Sequence, residues 1–367
     1  MYSRCSFPAL RLQFVVPAGN QPAESSFLQA DNAIFVAVVG VGVFGRNHAR
    51  VYQELQQQGE AVRLVGVVDP DLDRADAVAR EFGCRAFGSV QQMLTTHSEI
   101  RAASVAAPTV HHLEVARALM EAGVDVLIEK PVAASLAEAD ELVQLAATYK
   151  RIAQAGHLER FNPAVRATIP LLTQPMFFEV HRLSVFAPRS LDVDVVLDLM
   201  IHDLDIVLSF VNSPVKEVRA VGLPILSGKV DIANVRLEFN SGCVANFTAS
   251  RVSTERVRKL RFFQPRQYVS VDYGRQEVLV FTIGEDGLAA ATPSVNPQIK
   301  IGKPQVTSEE PLHAELRSFL HAVQQRSTPV VPLEDGRRSL ELALDIVAAI
   351  REHGKKVGLP GLTKAKD

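Results

Sequence analysis

The chain has 367 residues, 47% hydrophobic and 22% charged, with a formal net charge of −2. That length accommodates two cores, and the balance is ordinary for a globular protein in water. A near-neutral charge gives no basic field for nucleic acid. The three cysteines, Cys5, Cys84 and Cys243, are odd in number and far apart, so they suggest neither a disulfide framework nor a zinc spacing and suit a reducing cytoplasm. The most apolar stretch, Ala33–Gly45, carries three glycines and is too short to span a bilayer, so no membrane association is expected.

The first 32 residues differ from the rest. Arg4 precedes a mildly apolar Phe7–Ala18, but Arg11 and Gln13 interrupt it, and Pro8, Pro17, Gly19 and Pro22 punctuate it. This is a poor secretory leader. It reads as a flexible extension, or as sequence upstream of the true start.

At Ala33 an apolar run begins and meets Gly40-Val41-Gly42-Val43-Phe44-Gly45. A buried strand running into G-x-G-x-x-G, with a helical pattern after it, is the signature of a dinucleotide-binding turn. Gly40 permits the tight turn, Gly42 lets backbone approach a pyrophosphate, and Gly45 lets the helix pack close to the strand. The helix is expected over Asn47–Gln58, with donors near Arg46 and Asn47 facing the phosphates. A second apolar run, Leu64–Val68, ends at Asp69, 29 residues after Gly40. An acid at that strand tip accepts the ribose hydroxyls and repels a 2′-phosphate, which favours NAD over NADP. Arg74 nearby works against that preference. The alternative is a glycine-rich turn in some other α/β protein.

Strands and helices then alternate: helix Arg74–Phe82, strand Ala102–Ala107 stopped by Pro108, helix His112–Glu121, strand Val124–Glu129 stopped by Lys130-Pro131. Ser135 and Glu138 form a capping box for helix Leu136–Tyr149, and Arg151–Gly156 is a further strand. This alternation implies a doubly wound parallel sheet over residues 33–155. From residue 156 to 353 the pattern changes. A long helix is expected over Asp194–Phe210. Strands are expected over Met176–Val185, Val215–Leu223, Asp231–Phe239, Cys243–Val252, Lys259–Phe263, Tyr268–Tyr273 and Glu277–Thr282, giving a mostly antiparallel sheet. Helices return over Glu309–Gln324 and Leu333–His353, and residues 354–367 form a basic tail. The expected fold is α/β, a Rossmann domain followed by an α+β domain with an open sheet, its last helices packing back on the first.

Such a pair places a cleft at the carboxyl ends of the parallel strands. Glu129-Lys130-Pro131 lies there; a lysine at that end can hydrogen-bond a substrate oxygen and favour an alkoxide. A cis Pro131 would fix its direction, and the alternative is a surface turn. Asp198 and His202 are four apart on an apolar helix, with Asp205 beyond and Asp203 turned elsewhere. A carboxylate beside a histidine raises its pKa and orients a general base. A zinc pair is the alternative, but no third ligand has the spacing, and no metal is expected. Gly156-His157-Leu158-Glu159-Arg160-Phe161-Asn162-Pro163 is the crossing between domains. Arg160 and Arg189 are candidates for an anionic part of the substrate, or for surface salt bridges. His111 or His112, after Pro108-Thr109, faces the cleft or simply opens a helix.

Taken in order, Gly40–Gly45, Ala107-Pro108 with His112, Glu129-Lys130-Pro131, and Asp198 with His202 resemble the glucose–fructose oxidoreductase, inositol dehydrogenase and rhizopine-catabolism (Gfo/Idh/MocA) family, across about Ile34 to Ile350. The resemblance implies a Rossmann domain plus an open antiparallel sheet used for homo-oligomer contacts. It implies cofactor contacts from Gly40, Gly42, Phe44, Gly45, Asp69, Pro108, His112 and Glu129. It implies that Lys130 anchors the substrate hydroxyl, His202 takes its proton, Asp198 supports them, and hydride passes to or from the nicotinamide. Met200 stands where the family commonly has glycine. The runs Gly156–Ala164 and Asp198–Asp205 look like the branch that oxidises nucleotide sugars, including UDP-N-acetylglucosamine 3-dehydrogenases, whose keto product goes to a pyridoxal-phosphate aminotransferase in diamino-sugar routes of lipid A. Substrate contacts would then come from Arg160, Asn162 and Arg189. An inositol or free-sugar dehydrogenase, and a non-catalytic NAD-binding sensor or scaffold, are the rival readings.

Overall fold

A computed structural model describes residues 33–187, 193–283 and 299–359. Among these, one sheet holds β1 (Ile34–Val39), β2 (Val62–Val68), β3 (Arg85–Phe87), β4 (Ala102–Val105), β5 (Asp125–Glu129) and β6 (Ala153–Gly156). The strands are all parallel, in the order β3-β2-β1-β4-β5-β6. This is the doubly wound Rossmann order, whose direction reverses between β1 and β4. Near-continuous Val, Ile and Ala runs bury these strands on both faces. On one face they pack under α1 (Val43–Gln57) and α2 (Leu72–Phe82), and on the other under α3 (Val90–Thr96), α4 (His112–Glu121) and α5 (Leu136–Thr148). Strand β3 and helix α3 have no sequence signal, because one is three residues long and the other is mostly polar.

After α6 (Pro163–Thr168), the second sheet begins with β7 (Phe177–Val185). It continues through β8 (Val215–Leu223), β9 (Ile232–Phe239), β10 (Val244–Ser253), β11 (Val257–Gln264), β12 (Gln267–Asp272), β13 (Glu277–Ile283) and β14 (Ile299–Gly302). The order is β14-β13-β12-β11-β7-β10-β9-β8, antiparallel except where β10 meets β7. Alternation sends Phe178, Val180, Leu260 and Phe262 inward. There they meet α7 (Ile201–Phe210) and α9 (Leu333–Lys356). On the outer face Phe177, Phe263, Tyr268 and Phe281 form a cross-strand row, with ring centroids 5.6, 4.8 and 5.1 Å apart. Helix α8 (Pro311–Gln325) packs Leu312, Leu316 and Phe319 onto the core beneath α1, so a late helix returns to the first sheet. No helix among the described residues is long and apolar enough to cross a membrane.

Glu315 of α8 is fully buried, and neither carboxylate oxygen has a hydrogen-bond partner. Burial, then the charges of Glu129 and Asp205, hold its pKa well above the ordinary carboxylate range. The folded protein therefore retains a proton that the unfolded chain gives up. The stability this contributes is full below the unfolded pKa and is lost as pH rises through the folded one, by about 1.4 kcal/mol per pH unit in that window. Glu315→Gln is neutral at every pH and escapes the loss. Its melting temperature relative to wild type is expected to rise between about pH 5 and pH 8; parallel melting curves across that range would contradict a retained proton.

Candidate active site

The glycine turn is built as its residues require. Gly40 has φ +83°, and a Cβ there would lie 2.4 Å from the Ala107 nitrogen. A Cβ on Gly45 would lie 1.8 Å from the Gly40 carbonyl oxygen, so α1 sits directly on the strand end. The helix consequently starts at Val43, not at Asn47, and the Arg46 amide is already bonded to the Gly42 oxygen at 2.9 Å. The amides that precede this first intrahelical bond are those of Val43, Phe44 and Gly45, in the first turn of α1. Gly42 is different: its φ of −61° suits any residue, and a Cβ there would meet no protein atom within 4 Å. The backbone gives no reason for glycine at this position, whereas a pyrophosphate lying on the helix N-terminus does. The first turn of α1 has no acid and no side-chain cap, and Val43 is exposed. Asp69, at the tip of β2, accepts from the Val41 amide and from the Asp71 amide, each at 3.0 Å, which fixes it beside the turn. Arg74 lies on this carboxylate, 3.3 Å from each oxygen, and is neutralised there. These residues fit a dinucleotide.

The second half of the site lies at the end of β5. The Lys130–Pro131 peptide is cis. Lys130 Nζ donates to the backbone oxygen of Asp198 at 2.8 Å and lies 3.8 Å from its Oδ1. The expected single helix is interrupted here. Val196–Met200 is a π turn, and the α-helix proper begins at Ile201. A π turn widens the usual i→i−4 bonding, here with the Ile201 amide on the Val196 oxygen, and the Asp198 carbonyl within it accepts from Lys130. His202 follows on the same segment and is 9% exposed, with Nδ1 enclosed and unpartnered. A cavity of about 300 Å³ is lined by Lys130, Asp198, Thr109, Pro131, Val193 and Leu197 among others. A cation and a carboxylate thus line a cavity at the end of β5, where ligands bind in open α/β sheets, and the imidazole of His202 follows four residues after that carboxylate.

Residues 34–157 match the model of the oxidoreductase family with NAD-binding Rossmann fold, and residues 176–269 match the GFO/IDH/MocA C-terminal domain. The chain is 37% identical, over 85% of its length and 96% of the relative's, to a UDP-N-acetylglucosamine 3-dehydrogenase of Acidithiobacillus ferrooxidans. The chain belongs to the GFO/IDH/MocA family. A solved structure of the Acidithiobacillus enzyme superposes with a TM-score of 0.78 at 35% identity, covering 87% of this chain and 98% of that one. A scyllo-inositol 2-dehydrogenase (NAD(+)) of Bacillus subtilis is 27% identical over 61% of this chain and 69% of its own. As a GFO/IDH/MocA protein the chain is an NAD-dependent oxidoreductase.

Several sequence expectations for this GFO/IDH/MocA site need correction. Asp198 does not raise the pKa of His202. Burial, then the charges of Lys130, Arg182, His157 and Arg258, drive it well below the ordinary value, so the ring is neutral. His112 does not face the cleft. It is buried, with Nδ1 3.0 Å from the Pro131 oxygen and Nε2 2.8 Å from the Ala107 oxygen, and so ties together the two strand-end loops. His111 is exposed. Glu129 is buried against His48 Nε2 at 3.0 Å and accepts from the Lys130 amide at 3.3 Å. Its carboxylate positions the lysine loop from beneath.

Arg160 and Asn162 do not reach the Lys130 cavity. Arg160 donates to Asp335 at 3.0 Å and lies 3.7 Å from Asp205, a brace between the crossing segment and α9. Asn162 is buried; it caps α6 through the Ala164 amide and donates to Glu159 and to the Tyr273 oxygen, each at 3.1 Å. Asp203 holds Arg182 at 2.6 and 2.9 Å in a buried fork–fork pair. Phe44 is 39% exposed at the turn and packs on His48, while Pro108 opens the short 3₁₀ turn Thr109–His111 at the end of β4. Arg189 lies outside the described residues. One cation that sequence reasoning missed, Arg258 of β11, lies on the inner sheet face and is the last of the charges that disfavour protonation of His202.

Proposed function

We propose that the chain oxidises a secondary hydroxyl of a sugar, with UDP-N-acetylglucosamine at C3 as substrate and the 3-keto sugar as product. The observation that carries the reading is Lys130 held at the end of β5 by both the backbone oxygen and the carboxylate of Asp198, with a neutral His202 four residues along the same segment. The choice of sugar is supported by the Acidithiobacillus relative, which matches along nearly its whole length. The glycine turn and the α1 terminus hold the pyrophosphate of NAD, Asp69 holds its ribose, and the loops Ala106–Pro108 and Lys130–Pro131 flank the nicotinamide end. NAD, once bound, supplies the hydride acceptor. Lys130 Nζ donates to the substrate hydroxyl oxygen, and its charge stabilises the alkoxide that forms. His202 accepts the hydroxyl proton, for which a ring kept unprotonated is ready at neutral pH. Asp198 steadies the lysine through both its backbone oxygen and its carboxylate.

The test is purified protein with NAD and a panel of nucleotide sugars and polyols, read as absorbance of the reduced nicotinamide. Turnover of UDP-N-acetylglucosamine is expected. Turnover of inositol alone would favour the free-polyol reading, and NADH binding with no turnover would favour a sensor. A keto sugar is the substrate class of pyridoxal-phosphate aminotransferases, and such an enzyme is the expected pathway partner. The half-exposed aromatic row on the outer sheet face suits pairing with a second copy. Light scattering is expected to give an oligomer, and a monomer at all concentrations would contradict that use of the face.

A further inference from the structure

Arg258 stands near the start of β11, in register opposite Arg182 of β7. Strand alternation puts it on the inner face with Leu260 and Phe262, the face that carries α7 and His202. Like charges directly opposite one another destabilise a sheet. Arg182 is compensated, because Asp203 and Glu159 accept from all three of its nitrogens. Arg258 has no such compensation. Among the described residues it makes no ion pair, and its Nε is buried without a hydrogen-bond partner. Glu159 and Asp203 attract it from farther off, while Arg182 and Arg256 repel it. Arg251, also inward on this sheet, has Asp231 at 3.6 Å. A half-buried guanidinium kept on the face that carries α7, opposite the partner of Asp203 next to His202, at a cost to the sheet, calls for an anion, and its planar fork matches phosphate or carboxylate oxygens.

We propose that Arg258 anchors an anionic group of the substrate, a phosphate or a carboxylate, on the inner face of the second sheet, the face that carries α7. The inference takes its substrate from the sugar-oxidation reading above, and takes the charge from the geometry alone. A diphosphate on C1 of a sugar oxidised at C3 lies two carbons from the reacting centre, so one site can hold both. This assigns to Arg258 the task that the sequence suggested for Arg160, whose Nη2 donates to Asp335 and whose Nη1 lies 3.7 Å from Asp205.

The test is titration calorimetry on the full chain saturated with NADH, with UDP, D-glucuronate and uncharged N-acetylglucosamine as probes. Arg258→Gln is expected to weaken the anion that the site takes by about 10–100-fold. Binding of N-acetylglucosamine should be unchanged, and Arg258→Lys should fall between. The UDP and glucuronate arms separate phosphate from carboxylate. Removing one of two facing cations is also expected to leave the melting temperature at or above that of wild type, so the variant folds. Equal UDP and glucuronate affinity in both forms, or no binding of either by wild type, overturns the anchor. If UDP-N-acetylglucosamine is still oxidised in that case, the dehydrogenase reading survives. Arg258-dependent UDP binding without oxidation of any nucleotide sugar supports the anchor and removes that reading.

Discussion

His202→Ala is expected to lower kcat by about 10²–10⁴-fold, the usual worth of a placed general base. The wild-type pH profile should have its acid limb below the ordinary histidine value of about 6.5, because burial and the nearby cations disfavour the protonated ring. The sign is fixed: a depressed pKa keeps the base competent as pH falls, and activity is lost only when the ring is finally protonated. The variant should lose that limb along with its rate, while NADH binding is retained, since the dinucleotide turn lies on other elements. Steady-state rates across the pH range check both parts. A variant with the wild-type rate and the wild-type limb removes His202 from proton transfer.

Lys130→Met keeps the length of the side chain and removes its charge. Loss of one donor aimed at a developing oxyanion costs about 10²–10³ in kcat, and the effect should persist at every pH. NADH affinity should change little, because none of the turn residues depends on Nζ. Combined with His202→Ala, the loss should fall well short of the product of the two single losses, as for groups that act on one transition state. Multiplicative losses would mean that the two residues serve separate steps. A Lys130→Met protein that turns over normally would place the oxygen anchor elsewhere.

Much of this arrangement was legible in the residues. Gly40 and Gly45 could be assigned tasks because a tight turn and a close helix leave no room for a Cβ, and the spatial clashes agree. The switch from parallel to antiparallel sheet was visible where long helices stopped separating the strands. Other features had no local signature. Val196-Leu197-Asp198-Leu199-Met200 reads as an ordinary helix, and nothing in its composition announces a π turn or a carbonyl offered to a lysine. Arg160 was read as a contact for an anionic part of the substrate or as a salt-bridge cation, and its partner, Asp335, lies 175 residues away. Arg258 was within reach of parity alone. Positions 258, 260 and 262 share a face of β11, and two of them are core residues. The expected strand began at Lys259, so Arg258 fell one residue outside it, within the cation-rich run Arg256-Val-Arg-Lys-Leu-Arg261.

The seat of Lys130 has a consequence for turnover. Its 2.8 Å bond runs from the strand end of the first lobe to the backbone of the π turn in the second. Any movement that parts the two walls to admit substrate or release product must break it. In the proposed mechanism such a displacement would also take aim away from the lysine. A backbone oxygen cannot be exchanged by point substitution. The Lys130 contact is therefore carried by the course of the main chain and is expected to survive changes of side chain at Asp198.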